Sequence, residues 1–133
     1  MNVENEGPMN RAPIILIVED DRDIRDVLAE ILAEEGYQVL VAEDGADGLR
    51  RLAEGPQPDL ILLDLMMPRM DGYQFREEQR KNPVWSGIPL VLLTAGVETS
   101  DKITALGALD VVRKPVKIDF LLELIGAVVR RAA

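Results

Sequence analysis

The stretch Asp59-Leu-Ile-Leu-Leu-Asp-Leu-Met-Met-Pro-Arg-Met-Asp-Gly72 decides the fold of this chain. Residues 60–63 form an uninterrupted apolar run, which is typical of a strand buried on both faces. The run ends on Asp64, Pro68 prevents further strand pairing, and Asp71-Gly72 indicates a turn into the next helix. Ligands of open α/β sheets bind at the carboxyl ends of the strands. We therefore predict that Asp64 is a nucleophile, a metal ligand or both.

Apolar runs and helical periodicities alternate along the rest of the chain. Strands are predicted at residues 14–18, 38–42, 60–63, 90–93 and 111–113, and helices at about 22–35, 45–54, 72–81, 100–106 and 118–131. This alternation predicts an α/β fold, with a parallel sheet, right-handed crossovers and helices on both faces. Residues 1–12 are polar and contain Gly7 and Pro8. They are predicted to form a flexible tail before a single domain at 13–133.

The composition limits the class of protein. The 133 residues, of which 47 % are hydrophobic and 29 % charged, suit one soluble domain with a core. A net charge of −9 argues against a broad basic face for nucleic acid or an anionic membrane. The chain lacks cysteine and histidine, which excludes disulfides, thiol chemistry, histidine acid–base catalysis and most zinc sites. No apolar run reaches transmembrane length, and we expect a cytoplasmic location.

Polar side chains stand at the carboxyl ends of four predicted strands. Glu19 and Asp20 follow the first strand, Asp64 the third, Thr94 the fourth and Lys114 the fifth. In a parallel sheet, all of them lie at one edge. Three carboxylates there would repel one another unless a cation intervenes, and Mg²⁺ prefers such oxygen ligands. Lys114 and Thr94 would complete an electrophilic cradle for a phosphoryl group.

Each of these residues also has a purely structural interpretation. An acidic residue after a strand often only caps the next helix, which is an alternative for Asp20 or Asp21 and also for Asp64. A lone Thr or Lys at a strand end is more often structural than functional. The joint placement of five such residues at strand ends favours a functional site.

Four motifs give the chain a family resemblance. They are Ile17-Val-Glu19-Asp20-Asp21, Leu62-Leu-Asp64-Leu-Met-Met-Pro68-Arg-Met-Asp71-Gly72, Leu92-Leu-Thr94-Ala95 and Arg113-Lys114-Pro115. With all four in order at strand ends, the chain from about Ile14 to Arg131 resembles the receiver domain of two-component response regulators, of the single-domain type. The resemblance implies a flavodoxin-like, doubly wound sheet of five parallel strands in the order 2-1-3-4-5.

The resemblance also implies roles for the acidic residues. Asp64 would accept a phosphoryl group from a histidine kinase or a histidine phosphotransfer protein, in a reaction that requires Mg²⁺. Asp20 and Asp64 would bind Mg²⁺ directly, and Glu19 would act mostly through water. The main-chain carbonyl of Met66 would complete the protein ligands.

Further expectations concern the phosphoryl contacts and the output. Thr94 and Lys114 would contact the phosphoryl oxygens, and the Lys114–Pro115 bond would be cis. The domain would be a regulator and not an enzyme, with at most slow loss of its own phosphoryl group. Because the chain ends soon after the last helix, we expect a separate downstream protein partner. The broad apolar arc of residues 118–129 predicts partner binding, or self-association as a homodimer, through that helix.

Three features depart from the usual pattern of the family. Val111 stands where the fifth strand usually carries an aromatic residue, and the segment 94–107 is shorter than usual. Arg76 and Gln79 stand where the family often has apolar residues. These departures leave the phosphoacceptor residues intact, but they predict a short or irregular fourth helix, and they argue against the usual signalling surface of the family.

Other functions on a similar sheet are alternatives. A metal-dependent phosphatase with an aspartyl nucleophile needs a second acid two residues later, where this chain has Met66. A flavin-binding electron carrier needs a hydroxyl- and glycine-rich loop after the first strand, where Glu19-Asp20-Asp21 would repel phosphate. Two further alternatives are a receiver-like interaction module that is not phosphorylated and a receiver fragment of a hybrid kinase or larger regulator.

Overall fold

A computed structural model describes residues 11–96 and 99–132 of the chain, the last two as backbone only. The strands within these residues form one parallel sheet in the order β2-β1-β3-β4-β5. This confirms the predicted fold class and strand order. The elements are β1 (Ile14–Val18), α1 (Arg22–Glu34), β2 (Gln38–Ala42), α2 (Gly45–Glu54), β3 (Leu60–Asp64), α3 (Gly72–Lys81), β4 (Leu90–Thr94), α4 (Ser100–Leu106), β5 (Asp110–Arg113) and α5 (Ile118–Ala132).

The predicted tail at residues 1–12 lies outside the described residues, except for Arg11 and Ala12. Arg11 Nη2 lies 3.6 Å from Asp59 Oδ1, just before β3. The boundaries of the domain therefore stay a prediction. No helix within the described part of the chain is long and apolar enough to cross a membrane.

The central strands β1, β3 and β4 are buried along their whole length. Their continuous Ile, Leu and Val sequences follow from this, because helices cover both faces of the sheet. Side chains of one face pack with α1 and α5, and those of the other pack with α2, α3 and α4. The sheet is thus a rigid base for the polar side chains at its carboxyl edge.

Helices α1 to α4 each begin at a side chain that accepts a backbone N–H three residues later. The four capping residues are Asp21, Asp44, Asp71 and Thr99. The structural interpretation is therefore correct for Asp21, whereas its neighbour Asp20 does not cap α1. This leaves the carboxylate of Asp20 available at the sheet edge.

Two arginines of α3 hold the carboxyl end of α4, and we call this arrangement the α3–α4 contact. Nε of Arg76 donates to the Leu106 carbonyl at 2.8 Å, and its Nη1 donates to Gln79 Oε1 at 2.8 Å. Nη1 of Arg80 donates to the Ala105 carbonyl at 2.9 Å. Arg76 and Gln79 are buried. The two polar departures from the family pattern thus fix a fourth helix that is short, as predicted.

Most of the apolar arc of α5 is covered within the chain. The buried members are Leu121, Ile125 and Val128, and the half-buried ones that pack on the same core include Leu122, Leu124 and Val129. Phe120, in contrast, is 46 % exposed. Among the described residues of the apolar arc, Phe120 is therefore the exposed one, and the predicted partner or homodimer surface on α5 stays a prediction.

Candidate functional site

The carboxyl edge of the sheet brings together the three acidic residues predicted from the strand ends. Glu19 and Asp20 follow β1, and Asp64 is the last residue of the adjacent parallel strand β3. One carboxylate oxygen of each residue lies within 4.8 Å of the others. Glu19 and Asp64 are buried, whereas Asp20 is exposed. These residues form what we call the acid cluster, which is open to solvent on the side of Asp20.

Lys114, at the end of β5, supplies the positive charge beside the acid cluster. Its Nζ lies 2.7 Å from Glu19 Oε1 and 3.5 Å from Asp64 Oδ1. The contact with Glu19 is an ion pair between opposite charges. Its angles are not those of a hydrogen bond, and Glu19 Oε1 accepts no hydrogen bond within the described residues. The Lys114–Pro115 bond is cis, as predicted. One ammonium group facing three carboxylates leaves the site net negative.

Burial and charge repulsion change the acidity of the site. Burial is the largest effect on Asp64, and repulsion by Glu19 and a hydrogen bond with Asp20 add to it. Together they raise the pKa of Asp64 to about 8, although Lys114 acts in the opposite direction. Burial opposes the charge of Lys114, but its contacts with Glu19 and Asp64 outweigh burial and raise its pKa. A divalent cation that displaced the proton of Asp64 would relieve the repulsion.

Glu19 is fixed by contacts on both its backbone and its side chain. Its N–H donates to the Ala42 carbonyl at 3.1 Å, and its carbonyl accepts from Arg25 Nη1 at 2.9 Å. Its Oε2 accepts from the N–H of Asp21 at 3.0 Å. The carboxylate is therefore held in place before any ligand binds. The contribution of Arg25 was not predicted, because an arginine one turn into a helix gives no sign of its carbonyl partner.

Thr94 ends β4 at the same edge of the sheet. The strand register pairs Asp64 with Leu93, so Thr94 lies one residue farther toward the acid cluster. Its side chain is buried, and Oγ1 accepts from the N–H of Gly96 at 3.1 Å. Its carbonyl accepts from the N–H of Lys114 at 2.7 Å. This backbone hydrogen bond holds the Thr94 hydroxyl and the Lys114 ammonium group at neighbouring positions on the sheet edge.

The loop between β3 and α3 stays close to Asp64. The N–H of Met66 lies 3.4 Å from Asp64 Oδ1, and the Met66 side chain is 60 % exposed. A Cβ on Gly72 would stand 2.7 Å from the Asp64 carbonyl oxygen and 2.8 Å from Leu65 Cα. Only glycine therefore allows α3 to begin this close to the end of β3.

The sequence interpretation missed Arg69, which lies in the same loop with a left-handed φ of 63°. Nε of Arg69 donates to Asp44 Oδ2 at 2.7 Å, and its Nη2 lies 3.2 Å from Glu43 Oε1. Asp44 also caps α2, so these contacts tie the loop after Asp64 to α2. Because the partners are 25 residues apart, only the folded chain shows them together.

The donor set of the acid cluster fits Mg²⁺. This ion takes oxygen ligands, keeps several waters and is bound by one or two carboxylates together with substrate phosphates. The cluster offers clustered carboxylate oxygens and one exposed acid, Asp20, where water and a phosphoryl group can approach.

The chain belongs to the family of response regulator receiver domains. The model of that family matches residues 15–126. The regulator PhoB of Escherichia coli, a phosphate regulon transcriptional regulatory protein, is 40 % identical over 119 residues, which are 88 % of this chain and 52 % of PhoB. The DNA-binding dual master transcriptional regulator RpaA of Synechocystis is 40 % identical over 121 residues, which are 90 % of this chain and 50 % of RpaA. The chain thus spans about half the length of these relatives.

Solved structures agree with this assignment. The receiver domain of the Francisella response regulator 1452 superposes with a TM-score of 0.81 at 29 % identity, covering 91 % of this chain and 99 % of that one. The response regulator TrrA of Thermotoga maritima, in complex with Mg²⁺ and beryllofluoride, superposes with a TM-score of 0.76 at 33 % identity. That comparison covers 87 % of this chain and 98 % of TrrA. Receiver domains bind Mg²⁺ at an acidic pocket, and this chain has an acidic cluster of suitable donors.

Proposed function

We propose that Asp64 accepts a phosphoryl group from a histidine kinase or a histidine phosphotransfer protein, in a reaction that requires Mg²⁺. The observation that carries this proposal is the position of Asp64, a buried carboxylate at the carboxyl edge of the sheet beside one lysine and two other acids. Family membership and the Mg²⁺–beryllofluoride complex of TrrA support it.

In the proposed transfer, a carboxylate oxygen of Asp64 attacks the phosphorus of a phosphohistidine. The new P–O bond forms as the P–N bond breaks. The electron pair of the broken P–N bond returns to the ring nitrogen of the donor histidine. Lys114 is close enough to Asp64 to offset negative charge on the phosphoryl oxygens. Thr94 supplies a hydroxyl at the same edge, and we assign it a phosphoryl contact.

The metal site is proposed to comprise the side chains of Glu19, Asp20 and Asp64 and the main-chain carbonyl of Met66. Bound Mg²⁺ would supply positive charge beside the attacking carboxylate and the phosphoryl oxygens. Glu19, already held by three hydrogen bonds, would position this site with little reorganisation. The exposed position of Asp20 leaves the approach to Asp64 open to a donor protein.

The output is proposed to be a change in protein–protein contacts. The acid cluster holds no second proton-transferring acid two residues after Asp64, where Met66 stands. A phosphatase that turns over substrate is therefore disfavoured, and at most slow loss of the protein's own phosphoryl group is expected. Phe120 on α5 is the exposed apolar residue through which a partner or a second copy would bind.

Incubation with acetyl phosphate, with Mg²⁺ or with a chelator, tests the phosphoacceptor. We expect one modified species on a phosphate-affinity gel with Mg²⁺ and none without it. Asp64→Asn should abolish the modification. Asp71→Asn is the matched control, because it changes an acid of the same loop and keeps a side chain that caps α3. Modification that persists in Asp64→Asn would refute the assignment, and an unmodified parent protein would favour the interaction module.

A further inference from the structure

The α3–α4 contact holds two positive charges, on the buried Arg76 and the exposed Arg80, without a carboxylate to balance them. Within the described residues, neither Arg76 nor Arg80 has a carboxylate oxygen within 4.0 Å. Their hydrogen-bond acceptors within the described residues are the neutral carbonyls at the end of α4 and the side chain of Gln79. Only dipoles therefore stabilise the two guanidinium charges within the described residues, and they include the partial negative charge at the carboxyl end of α4.

The two guanidinium groups also lie close to each other. Nη2 of Arg80 and Nη2 of Arg76 lie 2.6 Å and 3.5 Å from the point where a Cβ on Gly107 would stand. Burial, followed by the charge of Arg80, lowers the pKa of Arg76. Two like charges held this close would be stabilised by an anion.

A groove of about 560 Å³ runs over this contact, and we call it the α3–α4 groove. Its charged lining comprises Arg76, Arg80, Lys81 and a single acid, Glu77. A smaller cavity of about 380 Å³ shares Tyr73 and Leu106 with the groove and adds Lys102. Lys81 pairs with Glu78 at 3.1 Å, so the charge that no carboxylate balances comes from Arg76 and Arg80. The groove is thus cationic with an aromatic and aliphatic wall, on a chain whose net charge is −9.

Capping of α4 explains only part of this arrangement. It accounts for Arg76 and for Nη1 of Arg80, which donate to the last carbonyls of the helix. It does not account for Lys102, whose exposed side chain has no ion pair or hydrogen bond within the residues that the structure describes. Lys102 therefore adds positive charge beside the groove, and no contact within the described residues gives its side chain a structural role.

We propose that the α3–α4 groove binds an acidic segment of a partner protein. Carboxylates pair well with the planar donors of arginine, and the wall formed by Tyr73 and Leu106 can pack against apolar side chains of the same segment. A nucleic acid would extend beyond the groove over a surface that is net negative, whereas a short acidic segment is confined to the groove. This surface is separate from the acid cluster and does not depend on the phosphoacceptor role.

Fluorescence anisotropy of a labelled hexaglutamate peptide at low ionic strength tests the proposal. We expect saturable binding to the parent protein that weakens as salt is added. Arg80→Gln and Lys102→Glu should each weaken binding about three- to tenfold, because the first removes a positive charge of the groove and the second reverses one in the adjoining cavity. Lys117→Glu is the matched control, since it makes the same change at an exposed lysine outside the groove and should have a much smaller effect.

The outcomes distinguish the alternatives. Absence of binding to the parent protein, or equal losses in Lys102→Glu and Lys117→Glu, would overturn the proposal, because net charge alone would then explain the result. Equal competition by a single-stranded oligonucleotide of the same charge would overturn the assignment to a protein segment. Circular dichroism of each variant verifies the fold, and the exposed position of Lys102 ensures that at least one groove variant is folded.

Discussion

The acid cluster and the α3–α4 contact both bury charged side chains, but their charge imbalances are opposite. The acid cluster sets three carboxylates against one lysine, whereas the α3–α4 contact holds two arginines with no carboxylate partner in the described residues. Carbonyls at the end of α4 and the side chain of Gln79 accept the hydrogen bonds of Arg76, whereas burial, followed by repulsion from Glu19, raises the pKa of Asp64. Hydrogen bonds can thus stabilise a buried charged side chain. A net charge that remains at a site after its hydrogen bonds are made indicates that a ligand of opposite charge binds there.

The largest expected effect comes from removing the buried guanidinium of the α3–α4 contact. Arg76→Leu leaves the Leu106 carbonyl and Gln79 Oε1 without their donor. We expect the free energy of unfolding in urea to fall by about 3 kcal/mol, because buried polar groups lose their partners. Arg50→Leu is the control, since its ion pairs on α2 are exposed to solvent and should contribute much less to stability. Equal losses in the two variants would show that the buried contact contributes no more than a surface one.

A smaller loss of stability is expected beside the acid cluster. In Gly72→Ala the new methyl group would collide with the Asp64 carbonyl and the Leu65 backbone. The backbone must shift, and we expect a loss of about 2 kcal/mol together with slower phosphorylation of Asp64. Gly87→Ala is the control, because a Cβ there meets no atom within 4 Å. A Gly72→Ala variant with parental stability would contradict the close approach of α3 to β3.

Stability without metal should fall as the pH rises. Folded Asp64 has a pKa of about 8, whereas an unfolded aspartate titrates near pH ~4. The folded state therefore binds more protons between these values, and stability is lost as the pH rises through this range. We expect a decrease of about 1 kcal/mol or more from pH ~5 to ~8 in the absence of Mg²⁺.

Two controls sharpen this measurement. Asp64→Asn should flatten the pH dependence, and the chain has no histidine that would titrate in the same range. Mg²⁺ should stabilise the protein most at the upper end of the range, because it binds the ionised carboxylates. A pH dependence that is identical in the parent and in Asp64→Asn would place the titrating group elsewhere.

The smallest expected effect concerns the lifetime of the proposed phosphoaspartate. Hydrolysis needs a water held in line behind the phosphorus, and the exposed side chain of Met66 offers no hydrogen bond to orient it. Met66→Asn should shorten the lifetime about threefold, a difference of less than about 1 kcal/mol in the barrier. Met66→Leu is the control and should leave the lifetime unchanged. If Asn and Leu give the same lifetime, this position does not orient the water.

The secondary structure and the acid cluster could both be predicted from the sequence. The strands and helices were predicted to within one residue, because the buried parallel strands are continuous apolar runs and glycines, prolines and helix caps mark their limits. Glu19, Asp20 and Asp64 were found together for the same reason, since a parallel sheet brings the ends of neighbouring strands to one edge. The roles of the site residues are still proposals, for which this grouping supplies the geometry.

Only the tertiary structure identified the contacts between distant helices and loops. Arg76 and Gln79 were noted in sequence only as polar residues where the family often has apolar ones, and the structure buries both. The end of α4 accepts a hydrogen bond from Arg76, and the carbonyls of Trp85 and Ile88 accept from Gln79. The pairing of Arg69 with Asp44 was equally hidden, because long side chains can reach many partners and no periodicity specifies which one. The sequence determined the strands through their apolar runs, and it determined the acid cluster because parallel strands meet at one edge of a sheet. The strand order followed from the family resemblance. Only the folded structure showed which charged side chains meet, because those contacts join residues far apart in the chain. The local sequence pattern does not encode such contacts.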